Sequence, residues 1–554
     1  MIEPLTVKPE EARIRRWTHR RGRLLSNYNP VVVVAAVATL LSVASFLYFF
    51  ANEMTNVYGD GVAHVNIARK VVDSEEASLR QRYMQIGSPW LPLQTVLMLP
   101  LVANDWLWRT GVAGSIVSMI SFVIAAVSLY LLAASVYRNE NEQLRRILPR
   151  LSASILVFNP SALYMQSTPM TEMVFMAALI TAVYLLQRWL NERISRRLVF
   201  AASAMTVATL ARYEAWPVAA LAVAIVALNS RGNWKARLKT SALFSLITST
   251  GPIYWLWHNW AIYGNALEFL TGPNSARGIY LQNRANLGWS AIFVGHATLD
   301  VLTVATAVAV CAGPLVLLLG AVGFFRWLAA RRKALLVDSA VLLLLAPFFF
   351  HVFSMYRGEI QVFPLSAFGL HNVRYGVPHL LAVAVFAPGA LLLFKRLGWR
   401  RCVAITCVAV AAQYVFLISD GPAQLAVYQE AYRNGVNARP ARERAGIASF
   451  LRANPPVGLI VMHTGALGPV VSQGGLRFSN IIHEGSSRWH QLGEGFPRDV
   501  EMVIFQDGDP LDLKIREATT LRIGLATEFQ EQVSVGKIRV FERLVPGRDS
   551  KGLK

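Results

Sequence analysis

Apolar stretches of about twenty residues recur along this chain between short polar segments, an alternation that predicts a bundle of membrane-spanning helices. They thread as about eleven crossings, near 31–50, 112–136, 150–166, 170–188, 198–212, 215–230, 240–262, 302–325, 335–353, 375–394 and 402–419. No small-residue cleavage signature follows the first, so it reads as an uncleaved signal anchor. After Ser419 the pattern becomes that of a soluble domain. A helix is expected around Arg442 to Arg452, strands at Leu459–Met462, Val500–Phe505 and Ile538–Phe541, and a terminal hairpin from Phe529 to Leu544 turning at Ser534–Lys537. The expected fold is a polytopic α-helical membrane protein with a small C-terminal extracytoplasmic α/β domain. Its parts are a basic tail (1–29), a transmembrane domain (30–420) and the α/β domain (421–554).

Composition agrees with a membrane protein: 54% of the 554 residues are hydrophobic and 16% charged, with a mean hydropathy of +0.40. The formal net charge of +21 could indicate nucleic acid, but the basic residues lie in short clusters between apolar stretches. Arg13 to Arg23, Arg138 to Arg150, Arg188 to Arg197, Arg231 to Lys239, Arg326 to Lys333 and Lys395 to Arg401 are such clusters, as the positive-inside rule expects of cytoplasmic segments. That sidedness puts the amino terminus in the cytoplasm and the loops 51–111 and 263–301 outside the cell membrane, together with everything after 420. Cys311, Cys402 and Cys407 all lie in apolar stretches, so neither a disulfide framework nor a zinc-binding spacing is indicated.

The conspicuous charged motifs fall on the external side of this threading. Asp60, between Gly59 and Gly61 after the first crossing, is a candidate general base; capping the helix that begins at Gly61 is the alternative. His64, four positions later on the same helical face, would let the pair share a divalent metal, against the plainer reading of a histidine hydrogen-bonded in its loop. Glu172 opens an apolar helix after Thr168-Pro169-Met170-Thr171, where it serves either chemistry or the helix dipole. Arg212-Tyr213-Glu214 breaks a long apolar region with opposite charges, which are costly near lipid unless paired or used. Arg277 in the long external loop, and Arg374 with Tyr375 at another helix start, are candidate phosphate ligands, since guanidinium donates a planar fork of hydrogen bonds; for Arg277 a solvated loop arginine is the slightly favoured alternative, and Arg374 is the stronger candidate.

In this order, Gly59-Asp60-Gly61, Thr171-Glu172, Arg212-Tyr213-Glu214, the Tyr263-Gly264-Asn265 loop and Arg374-Tyr375 resemble the GT-C superfamily of membrane glycosyltransferases that use polyprenyl-phosphate sugars. The likeness is to its protein-mannosyltransferase-like and aminoarabinose-transferase-like branches, over about 30–420. It implies an inverting transfer of one sugar from a polyprenyl-phosphate carrier to a hydroxyl on a glycan, lipid or protein acceptor, at the extracytoplasmic face. Asp60 and Glu172 would be catalytic; Arg212, Tyr213, Glu214, Arg277, Arg374 and Tyr375 would bind substrate. Gly61 stands where those branches commonly carry a second acid, which leaves dependence on a divalent metal open. No Trp-Trp-Asp motif is present, which speaks against block transfer of a large glycan. The rival class, a transporter or flippase of a lipid-linked or anionic solute, would place its charges near the bilayer midplane in two related halves. No internal repeat of that kind is visible.

Overall fold

The computed structural model describes residues 29–76, 78–284, 288–331, 337–360, 362, 372–393, 398–418 and 427–544. Of the basic tail expected over 1–29, residues 1–28 lie outside the described residues. Among the described residues, five helices are long and apolar enough to cross a membrane: Pro30–Ala51, Val112–Val136, Glu172–Glu192, Ser339–Tyr356 and Val373–Leu393. A bent pair would make a sixth span. Asn29 starts the first by accepting the Val31 N–H, with Pro30 in the position where a missing N–H does no harm. Only 17% of the apolar stretch of Pro30–Ala51 is buried inside the protein, against 89% for Val373–Leu393. The first helix therefore leaves most of its apolar surface uncovered by the protein, and Val373–Leu393 forms the centre of the bundle.

Two expected crossings are broken. The stretch 302–325 is two helices, Ala297–Ala312 and Pro314–Ala330, bent by 111°. The cause is Gly313, at φ +82°, followed by a proline that can begin a helix but not continue one. The stretch 150–166 is likewise the end of helix Glu142–Val157 and a short helix Pro160–Met165. Asn159 makes the break: Nδ2 donates to the Cys311 carbonyl at 2.8 Å and to Gln413 at 2.9 Å, while Oδ1 accepts the Ala162 N–H.

Helix Val112–Val136 holds the turn that leads into Glu172. Ser115 Oγ donates to the Ser167 carbonyl at 2.8 Å and Ser118 Oγ to that of Met170 at 3.2 Å. Gly114 lets Pro169 lie directly on this helix, since a Cβ there would sit 2.3 Å from Pro169 Cβ and 2.7 Å from its Cα. Gly114→Ala is expected to displace the turn and lower stability by about 1–3 kcal/mol, as overpacking does. Thermal unfolding in detergent checks it.

The C-terminal domain carries a five-stranded sheet in the order β2-β1-β3-β5-β4. β1 (Leu459–Met462) pairs in parallel with β2 (Ile481–Ile482) and β3 (Val500–Gln506); β5 (Ile538–Arg543) runs antiparallel to β3 and to β4 (Phe529–Val535). Helices follow β1 and β3, so the parallel strands are largely buried and mostly apolar, with Glu501 and Gln506 of β3 half-buried, whereas edge strand β4 exposes most of its residues.

The sheet domain is docked on the loop after the first span through charged contacts. Lys70 Nζ reaches Thr464 Oγ1 at 2.6 Å and Glu484 Oε1 at 3.1 Å, and Asn66 Nδ2 donates to the Gly468 carbonyl at 3.1 Å. Arg109 donates to the Ser472, Gly475 and Leu476 carbonyls; Asp73 and Glu76 accept the Phe478 and Ser487 N–H groups. Burial drives the adjacent His483 from 6.5 down to about 3, and Lys70 adds to the shift. Burial pushes the Glu484 carboxyl up, but Lys70, His483 and His463 together hold it below its ordinary value. Both folded values are depressed, so the His483 contribution is complete above pH 6.5 and lost progressively toward 3, while that of Glu484 is lost only below its ordinary value of 4.5. Acidification from neutral to about pH 4 should weaken the folded, docked domain by up to roughly 1.4 kcal/mol per pH unit from His483. Limited proteolysis across that range should release the domain, and pH-independent cleavage would contradict this.

Candidate functional site

The candidate residues sit where several helices begin or end. Asp60 is the second residue of helix Gly59–Val72, Glu172 the first of Glu172–Glu192, and Glu214 the N-cap of Ala215–Asn229. Three carboxylates thus stand at helix N-termini, where the peptide dipoles favour negative charge. Arg212 ends helix Ser195–Ala211 in an extended conformation, and Arg374 lies in the 3-10 turn Val373–His379 that opens the central span.

The structure draws these scattered groups into one chain of contacts. Arg374 donates from Nη2 to Asp60 Oδ2 at 2.5 Å and from Nη1 to Glu172 Oε1 at 2.9 Å. Arg212 Nη1 reaches the same Glu172 oxygen at 3.2 Å and Thr171 Oγ1 at 2.9 Å, and its Nε donates to Glu214 Oε1 at 2.7 Å. Glu214 meets His351 Nε2 at 3.0 Å, and His351 Nδ1 lies 3.1 Å from His379 Nε2. The Tyr375 ring stands 5.3 Å from both guanidinium carbons, and the Tyr58 ring 5.4 Å from that of Arg374, cation–π contacts that fix the arginine planes.

Burial separates the roles. The side chains of Glu172, Glu214, Arg374 and Arg212 are 1%, 4%, 6% and 11% exposed, and that of Asp60 is 45% exposed. Asp60 is therefore the carboxylate an incoming molecule can touch, with the other acids holding the arginines from behind. Among the described residues, two buried polar atoms in the network have no hydrogen-bond partner: Arg374 Nε, a donor, and Glu172 Oε2, an acceptor. The network therefore keeps hydrogen-bonding capacity that its own side chains do not use. Burial pushes the Asp60 carboxyl up, but Arg374 with His64 and Arg212 outweighs it and holds Asp60 below its ordinary value. It is ionised at neutral pH, the state a proton acceptor requires.

Asp60 does not act as the cap of its helix: the N-cap is Tyr58, and the carboxylate is engaged by Arg374. Thr171 likewise makes no side-chain cap bond and is bonded by Arg212 instead. The flanking glycines are not bent into special conformations, since neither has a positive φ. Gly61 is needed for packing: a Cβ there would lie 3.0 Å from Pro169 Cγ and 3.2 Å from Met170 Sδ. A second acid at this position would run into the turn that carries Glu172.

Tyr213 faces away from the ion network. Its hydroxyl donates to the Pro89 carbonyl at 3.1 Å and accepts from Trp255 Nε1 at 2.9 Å, and its ring stacks on Phe269. Arg277 is exposed on helix Ala276–Asn283, and among the described residues no hydrogen bond or ion pair joins it to the network. His64 is buried with its ring 4.7 Å from Trp90 and, among the described residues, no partner at Nδ1; burial drops it from 6.5 to about 4, so it is neutral at pH 7. Among the described residues no three His, Cys, Asp or Glu side chains group so as to hold a metal ion. Asp60 and His64 are two donors, fewer than the three or four protein ligands a zinc site takes.

His351, His379 and Glu430 escaped sequence reasoning. A histidine inside the apolar run Ala346–Tyr356 is itself a signal, because ionisable groups within apolar spans are expensive. Glu430 gives no local signal; only the fold brings it to Arg374.

By sequence, the chain matches no protein-family model and no curated protein. By structure, it is similar to the crystal structure of ArnT from Cupriavidus metallidurans bound to undecaprenyl phosphate, with TM-score 0.53 and 13% identity, covering 93% of this chain and 98% of that one. The same protein in the apo state gives a TM-score of 0.49 at 12% identity over 92% and 97% of the two chains. The apo oligosaccharyltransferase of Archaeoglobus fulgidus gives 0.46 at 12% identity over 86% of this chain and 69% of its own. The chain therefore shares the fold of that ArnT structure over nearly its whole length.

Proposed function

We propose that this protein is an inverting glycosyltransferase that takes one sugar from a polyprenyl-phosphate carrier and gives it to an acceptor hydroxyl at the extracytoplasmic face of the cell membrane. The observation that carries this reading is the pairing of the partly exposed Asp60 carboxylate with the buried Arg374 guanidinium. The carrier class follows from that guanidinium and from the undecaprenyl phosphate bound by the ArnT structure that shares the fold. The threading of about eleven crossings, with the amino terminus inside and the sheet domain outside, belongs to the same proposal.

In the step, Asp60 accepts the proton of the acceptor hydroxyl as that oxygen attacks the anomeric carbon. The bond from that carbon to the phosphate oxygen breaks on the opposite face, and polyprenyl phosphate leaves with the electron pair. Displacement from the opposite face inverts the anomeric centre. Arg374 meets the developing phosphate charge with its permanent guanidinium charge, with Arg212 adding positive potential from behind. Glu172 and Glu214 orient the two guanidiniums. No step falls to Tyr213 or Arg277. Reconstitution in liposomes with undecaprenyl phosphate bearing a radiolabelled sugar tests this: label should move to the acceptor and free undecaprenyl phosphate should appear. Passage of intact carrier between leaflets without its breakdown would make the protein a flippase and overturn the reading.

A further inference from the structure

The chain segment that follows the last described span returns to the site. It forms a short helix, Val427–Ala431, and one turn of π-helix, Tyr432–Val436. Tyr58, two residues before Asp60, donates its hydroxyl to the Val427 carbonyl at 3.0 Å. Gly435 lies against Val57, where a Cβ would be 2.6 Å from the Val57 Cβ and 2.9 Å from its carbonyl oxygen. Between these contacts Glu430 is buried, 3% exposed, and its carboxylate clasps two main-chain amides: Asn372 N–H at 2.5 Å and Val373 N–H at 3.0 Å.

Those amides immediately precede Arg374 and open the 3-10 turn that carries it. Asn372 sits at φ 56°, a left-handed conformation uncommon for a residue other than glycine, and its Oδ1 accepts from Arg374 Nη2 at 3.0 Å. A buried carboxylate is expensive unless its oxygens are satisfied, and here the main chain before Arg374 satisfies both of them. Burial raises the Glu430 carboxyl above its ordinary value, against the pull of Arg374 and the two amides. A single segment thus grips the chain just before Asp60 and just before Arg374, the two partners of the open ion pair.

We propose that Glu430 is a positioning residue: by holding the Asn372 and Val373 amides it sets the Arg374 guanidinium between Asp60 and Glu172. This rests on the glycosyl-transfer reading for its activity readout. A helix cap alone would add stability; a positioning residue must also act through Arg374, and a double-mutant cycle separates the two.

The experiment compares Glu430→Gln, Arg374→Lys and the double variant, all full-length, with undecaprenyl phosphate bearing a radiolabelled sugar as donor. Glutamine keeps one carbonyl acceptor and the shape, so Glu430→Gln should fold while losing one amide bond and the charge. Its kcat should fall about fivefold to tenfold with KM for the donor changed less than twofold, the scale of one hydrogen bond. In the Arg374→Lys background the same change should cost less than twofold. An equal loss in both backgrounds, or none in the native one, overturns the positioning role while leaving the reaction assignment intact. Full activity of Arg374→Lys would instead remove Arg374 from the reaction, and both readings would fall. Were Arg374→Lys inactive, the acid limb of the Glu430→Gln pH–rate profile decides. Asp60 is faced by Arg374, His64 and Arg212 and, as a like charge, by Glu430 itself; losing the Glu430 charge lowers the Asp60 carboxyl while loosening Arg374 raises it, so a limb moved to higher pH supports the proposal and an unmoved or lowered limb overturns it.

Discussion

Asp60→Asn is expected to lower sugar transfer by roughly 10²- to 10⁴-fold, the range a positioned general base contributes. Asparagine preserves the shape and one oxygen that can accept from Arg374, so the site should remain assembled. It cannot take the acceptor's proton at neutral pH. The effect should therefore fall on kcat. Affinity for free undecaprenyl phosphate should be unchanged or higher, because a negative charge beside Arg374 has been removed. Single-turnover transfer and carrier binding, measured on the same preparation, separate these outcomes. A loss of carrier binding equal to the loss of rate would make Asp60 a structural partner of Arg374 instead of a base.

Arg374→Lys should lower kcat by about 10²- to 10³-fold, as loss of one electrostatic stabiliser of a leaving anion does. Lysine keeps the charge but not the fork that spans Asp60, Glu172 and Asn372. A second signature is the pH profile. Burial raises the Asp60 carboxyl and Arg374 is the largest influence lowering it, with the net value below the ordinary one. A weaker, displaced cation should let that value rise, so the acid limb of the rate profile should move upward in pH. Arg374→Ala goes further and strips Asp60 and Glu172 of a shared cation. Breaking one side of a buried pair typically costs about 3–5 kcal/mol, so that variant should also unfold earlier in detergent.

Much of this was visible in the order of residues. The apolar run at 112–136 is the helix Val112–Val136, and the hairpin expected at Phe529 to Leu544 turns at Gly536 between β4 and β5. Length and periodicity suffice there because lipid or a sheet face imposes one pattern on every residue. The charged motifs were visible for a different reason: Asp60, Glu172, Arg212, Glu214 and Arg374 are too costly beside lipid to be unpaired, and they pair with one another. The break at Gly313 was hidden because its flanks are as apolar as an unbroken span. His351 and His379 meet only when spans cross, and the docking of the sheet through Lys70, Thr464 and Glu484 joins residues some 400 positions apart by charges no local pattern marks. Tyr213 was named with its neighbours Arg212 and Glu214, but its hydroxyl is committed to Pro89 and Trp255.

The most direct measurement is release of undecaprenyl phosphate from its radiolabelled sugar adduct by purified protein in liposomes, wild type against Asp60→Asn. Sugar transferred with inversion by the wild type, and transfer reduced at least a hundredfold with carrier still bound by Asp60→Asn, is the expected result. Equal turnover by both, or carrier crossing the bilayer intact in both, would contradict the account.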